Sequence, residues 1–312
     1  MAAAGRAKAR CVVALCVGLW LAVPAHAQEN TAAALLHRYQ ALRAQLAAKP
    51  LGVPARVDSS QEGDELHGEV YALLEQPFNS LLSQLTEPAV WCQLALLHLN
   101  TKACTTGQAG GRDWLTLYSG RKGFEAPGSA YPLRFAFQNT DVHPVHLEIN
   151  LRAQAGPLGS SDYRITVAAI PVVQGSFVRV SYAFRTSTMS RLATQVYLST
   201  LGQGKQGFTV TGNDGDGKPQ YVRGLRGVVE RNAVRYYFAV QAYLECLSLP
   251  QPQRFERALA RWFDLTEQYP VQLHEIERLD YLQSKRQEYD EQRRLQQTID
   301  AAAPAAPPVP AL

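Results

Sequence analysis

The sequence predicts an α+β fold: an antiparallel sheet gripping a long C-terminal helix, with additional N- and C-terminal helices. Three observations carry that expectation. Residues 224–247, GLRGVVERNAVRYYFAVQAYLECL, contain no Pro and no Gly after Gly227, and Val229, Ala233, Tyr236, Tyr237, Val240, Tyr243, Leu244 and Leu247 recur at spacings of three and four. That period merges them into one wide apolar helix face, which must lie against another layer. Ahead of it comes a series of short alternating segments with Gly- and Pro-containing turns, the pattern of antiparallel neighbours. Amphipathic, more polar stretches stand at either end.

The chain opens with MAAAGRAKAR, then an apolar run from Cys11 to Val23, then Pro24 and the triplet Ala25-His26-Ala27. This is the layout of a secretory signal peptide, so residues 1–27 are expected to be removed and the protein exported to a periplasmic or extracellular location. The run is shorter than the about 20 residues a bilayer-spanning helix needs. Of five cysteines, Cys92, Cys104 and Cys246 remain after cleavage. In an oxidising compartment Cys92 and Cys104 are near enough to close a small disulfide loop, with Cys246 a buried free thiol on the apolar helix. Three reduced cysteines are the alternative, because spacing does not determine pairing. A formal charge of +4, from 31 Lys+Arg against 27 Asp+Glu, argues against a nucleic-acid partner.

In order along the chain, residues 28–50 form an N-terminal helix with Leu35, Leu36, Tyr39, Leu42 and Leu46 on one side, followed by a loop. Residues 66–74 alternate as a first strand, and two short helices follow at 79–85 and 87–94. Strands are then expected at 94–105, 113–125, 131–140, 145–154, 163–173 and 176–185. In the last, Phe177, Arg179, Ser181 and Ala183 face one side while Val178, Val180, Tyr182 and Phe184 face the other, so one face is apolar. A short helix at 190–199 and a loop at 202–217 with a strand at 208–210 lead into the long helix, which ends at Pro250-Gln251-Pro252. The C-terminal extension 254–299 holds an amphipathic helix at 254–269 and a charged one at 271–299. The latter's thin stripe of Ile276, Leu279, Leu282 and Tyr289 suits a protruding helix or a partner contact. Residues 300–312, rich in Ala and Pro, are expected to be a disordered tail.

No motif names a reaction. Gly202-Gln203-Gly204-Lys205-Gln206-Gly207 matches the dinucleotide fingerprint in letters, but it does not open a helix. Gly212 to Pro219 nearly matches a phosphate loop, yet Pro219 has no hydroxyl for Mg²⁺ and two Asp would repel phosphate. His143 and His146 are expected on opposite faces of a strand and suggest no metal site. No catalytic residue and no cofactor is expected, since neither a nucleophile elbow nor a Cys-His signature occurs. Arg231 and Arg235, one helical turn apart, could meet an anionic group; alternatively Glu230 and the neighbouring arginines lock the helix onto the sheet.

One strand (66–74), two short helices (79–94), a run of antiparallel strands (94–185) and a long final helix (224–247) make an order of elements that resembles the START-like, helix-grip superfamily. The resemblance covers about the middle of the chain, 66–247, and rests on topology. It implies a cavity between sheet and helix holding a lipid or other apolar small molecule. The candidate ligand-binding residues are Tyr118, Phe137, Tyr182, Arg231, Arg235, Tyr236 and Tyr237. A filled core is the structural alternative. The functional alternatives are a cell-envelope interaction protein using residues 254–299 to contact a protein partner, and an envelope enzyme.

Overall fold

A computed structural model describes residues 31–302 except Pro50, Leu201 and Pro252. The expected leader, with its cleavage point after Ala27, and the tail from 303 onward lie outside the described residues.

The elements follow as α1 (Ala32–Ala47), β1 (Ala55–Glu62), β2 (Glu65–Leu74), α2 (Phe78–Leu85), α3 (Pro88–Leu97), β3 (Thr101–Ala109) and β4 (Arg112–Ser119). Then come β5 (Tyr131–His143), β6 (His146–Ala155), β7 (Ser161–Val172), β8 (Gly175–Arg185), α4 (Thr188–Ser199), β9 (Val210–Asn213) and β10 (Pro219–Tyr221). The chain continues with α5 (Gly224–Glu245), α6 (Gln253–Glu267), α7 (Pro270–Leu273) and α8 (Arg278–Ala302). Eight strands form one antiparallel sheet in the order β1-β2-β8-β7-β6-β5-β4-β3, so β1 and β3 are its edges. The α+β class with a long C-terminal helix on an antiparallel sheet is therefore observed.

Alternation along each strand aims Val70, Ile165, Val167, Val178 and Val180 at one layer, where they pack in a single core with Val229, Ala233 and Val240 of α5. Gly68 sets how close α5 comes. A Cβ there would lie 3.1 Å from the Val229 carbonyl oxygen, so only glycine lets the helix backbone rest on β2. The other face of the sheet is not wholly solvated. Leu35, Leu42 and Leu46 of α1 cover Tyr71, Ala168, Ile170 and Phe177 in a second cluster. Phe177 is thus buried opposite Val178 and Val180, and β8 is covered on both sides.

Several boundaries differ from expectation. Residues 55–62, expected as loop, form edge strand β1. Its sequence ARVDSSQE buries only Ala55 and Val57, too few to reveal a period of two. Residues 94–97, expected to begin a strand, finish α3, because a continuous apolar run reads equally as buried helix. The strand expected at 113–125 stops at Ser119, and the strand expected at 208–210 starts only at Val210. A two-residue turn makes His143 and His146 direct cross-strand partners, so they share a face instead of pointing apart.

The C-terminal helix α8 differs most. It does not stand away from the domain: Leu279 is 72% exposed, whereas Lys285, Glu288 and Gln292 are buried against β3, and Tyr281 is buried against Trp262 with its hydroxyl on Leu97 O. Its polar side chains complete the free edge. Gln292 Oε1 accepts from Cys104 N at 2.7 Å, Gln296 Oε1 accepts from Thr106 N at 2.8 Å, and Lys285 Nζ donates to Thr101 O at 2.7 Å. An edge strand left open would pair with another chain, and here a helix covers it. Residues 300–302, expected within the disordered tail, form the last turn of α8. Cys92 and Cys104 are joined, tying α3 to β3 with Cα atoms 4.9 Å apart, and Cys246 is free and buried.

Candidate functional site

Between the sheet and α5 the packing leaves two adjoining hollows. The larger, about 170 Å³, is walled by His98, Asn100 and Thr101 from the α3–β3 junction, Ser119 at the end of β4, and Tyr163 and Tyr182 from β7 and β8. Asn232 and Tyr236, one turn apart on α5, close it. A second hollow of about 30 Å³ continues along the helix between Leu115, Val167, Val180, Ala239 and Val240. Leu117 and Tyr236 border both, so one end is polar and the other apolar.

His98 sits at the C-terminus of α3 and is 4% exposed. Its ring stacks on Tyr236 with centroids 5.1 Å apart, and its Nδ1 accepts from Asn100 N at 3.2 Å. Burial, then Arg235, Lys285 and Lys102, push its pKa well below the ordinary imidazole value, so the ring is neutral. Asn232 is near enough to oppose that shift slightly, but Nε2 makes no hydrogen bond within normal geometry. Tyr182 lies 5.5 Å from Tyr236 and 6.3 Å from Tyr163, centroid to centroid. The Tyr163 hydroxyl meets Ser160 Oγ at 2.8 Å. Burial raises the pKa of all three phenols, so each hydroxyl stays protonated at neutral pH.

Of the residues singled out from the sequence, Tyr182 and Tyr236 line the hollow. Phe137 instead packs edge-on to Trp91 of α3, centroids 6.2 Å apart. Tyr237 is 1% exposed and leans on Phe238. Tyr118 is half-buried on the side of β4 opposite Leu117. Arg231 and Arg235 are buried away from the cavity wall. Arg235 Nη2 donates to Glu275 Oε1 at 3.0 Å and to Leu273 O at 3.2 Å, and Arg231 Nη1 reaches Gln206 O at 3.4 Å. Glu275 also accepts from Lys122 and from Tyr197 at 3.1 Å. Burial alone would raise the Glu275 carboxyl, but Arg235, then Lys122 and Lys205, outweigh it and hold it below the usual range. Burial, then Arg235, lowers Arg231 to about 10.

These charges fasten α5 to its surroundings, as does Glu230. That fully buried carboxylate accepts from Phe208 N at 2.6 Å, Thr209 N at 3.0 Å and Ser59 Oγ at 2.5 Å. Gly207, last of the glycine-rich stretch 202–207, lies directly against it, where any side chain would collide. Gly212 to Pro219 is a hairpin turn in which Asp214 Oδ1 accepts from Asp216 N and Lys218 N at 3.0 and 2.8 Å.

His98, Asn100, Ser119 and Asn232 were not singled out. His98 lies within the apolar run LALLHLN, which masks it, whereas Asn232 could have been found as the residue four before Tyr236 on one helix face. Among the described residues no His, Cys, Asp and Glu group could hold a metal ion, and no helix is long and apolar enough to cross a membrane.

No family model and no curated protein matches this chain. Similar solved structures include a protein of Chromobacterium violaceum, at 12% identity over 44% of this chain and 93% of that one, TM-score 0.28. Another, from Arthrobacter aurescens, shows 13% identity over 46% and 81%, TM-score 0.29. Norcoclaurine synthase from Thalictrum flavum shows 14% identity over 47% and 76%, TM-score 0.29. At those values the likenesses assign neither a family nor an activity.

Proposed function

We propose that the protein is an exported binder of a small, mainly apolar molecule of ring size, held between the sheet and α5. The observation that supports this is the cavity of about 170 Å³ at the polar end of an apolar slot, built on rigid strands and a buried helix. An apolar cavity of roughly 150 Å³ is enough to take benzene, so this one suits a substituted aromatic ring. A long acyl chain would need its walls to part. The Cys92–Cys104 bond accords with an oxidising compartment, where such links persist.

Ser119 lines the polar end from the sheet side, and Ser119→Trp would fill that end. Toluene should raise the melting temperature of the wild-type protein and leave Ser119→Trp unmoved. Native mass spectrometry after gentle purification should show a small molecule travelling with the wild type only. If the wild type responds to no ring-sized probe, the binding proposal fails.

A further inference from the structure

The polar end of the cavity contains a hydrogen-bond donor whose direction is set by the backbone. Neutral imidazole carries one proton, on either nitrogen. Because Nδ1 of His98 accepts from the Asn100 amide at 3.2 Å, it is the bare nitrogen, and the proton is on Nε2. Nε2 belongs to a side chain 4% exposed, lies on the cavity wall and meets no partner in good hydrogen-bond geometry, with the Asn232 side chain near it but not aligned. A buried donor left unmade is costly, so a ligand that offers an acceptor there gains more than a contact to water would give. Two further features narrow the acceptor. Tyr236 stacks on the ring and holds its plane, and Lys102, Lys285 and Arg235 stand close enough to disfavour a positive imidazole.

Resting on the proposal of a ligand cavity, we infer that His98 Nε2–H is the recognition donor for a carbonyl oxygen on an aromatic ligand, and that an aryl ketone or aldehyde is the class it selects. The ring of the ligand lies toward Leu117 and the apolar slot, and its C=O points to His98 between Asn232 and Ser119. The donor needs no titration to work, since burial keeps the ring neutral at neutral pH.

Acetophenone and α-methylstyrene have nearly the same shape and differ in C=O against C=CH₂. Calorimetric titration of the full chain with each should show acetophenone binding roughly three- to tenfold tighter. His98→Phe keeps a ring on Tyr236 but has no donor, so the two probes should then bind alike; His98→Gln, which returns an N–H near the Nε2 position, should restore part of the preference. Equal binding of both probes to the wild type overturns this inference while leaving the cavity proposal standing, and is the result expected if Asn232 takes the Nε2 proton. Binding of neither probe overturns both. Nitrogen NMR of the wild type supplies a readout independent of variants that fail to fold: the His98 proton should be on Nε2, and finding it on Nδ1 refutes the inference.

Discussion

Replacing Glu288 by Gln tests a charge cluster buried between α8 and β3. Glu288 is fully buried, its Oε1 accepts from Lys102 Nζ at 2.8 Å, and its Oε2 lies 2.8 Å from Lys285 Nζ in an ion pair. Both ammonium groups are themselves 0–1% exposed. Removing the carboxylate while leaving its partners should destabilise the protein by about 3–5 kcal/mol, because the buried charges lose their compensation. The loss should depend on pH in a stated direction. Burial pushes Lys285 down to about 7, with Glu288 opposing, against an ordinary value of 10.5. Between those limits the unfolded chain holds a proton that the folded one has shed, so the lysine's contribution to stability rises with pH. Below about 7 the folded lysine is charged and needs Glu288 most. Urea unfolding followed by fluorescence of Trp262, whose ring stacks on Tyr281 of α8 at 5.2 Å, should therefore show a larger loss at pH 6 than at pH 9. A change under about 1 kcal/mol at pH 6, or a larger loss at pH 9, would refute the reasoning.

Tyr237→Ala should cost about 3–5 kcal/mol in urea unfolding, as expected of a ring 1% exposed in a filled core. Tyr236→Ala should cost less, because part of that ring already borders empty space; equal losses would mean the hollow does not soften the substitution. Breaking the Cys92–Cys104 bond with Cys92→Ser and Cys104→Ser together should cost about 2–3 kcal/mol for a closed loop of this size, measured by thermal melting with and without reductant. Glu230→Gln should cost about 1–3 kcal/mol, since an amide cannot accept as well from Phe208 N, Thr209 N and Ser59 Oγ, and hydrogen exchange should quicken at 207–209.

Local pattern was enough to read the sheet and the gripping helix. Strands β5 and β7 carry alternation that survives in the folded state, over Leu133 to Phe137 and Tyr163 to Val167, and the spacing of three and four from Val229 to Leu244 reports α5 because most of one helix face meets apolar neighbours. The Cys92–Cys104 pairing also followed from a small set of candidates. Hydrophobic periodicity fails where burial is polar. Lys285, Gln292 and Gln296 read as a solvated face, yet they complete the open backbone edge of β3, a partner that exists only once the sheet has formed. The same limit applies to the site. The sequence marks Tyr182 and Tyr236 as aromatic and Arg231 and Arg235 as cations one turn apart, but which of them border the hollow is decided by helix rotation and by Glu275 arriving from a loop forty residues on. His98 enters the wall because α3 ends there and turns into β3, so its role depends on long-range packing that no local spacing records.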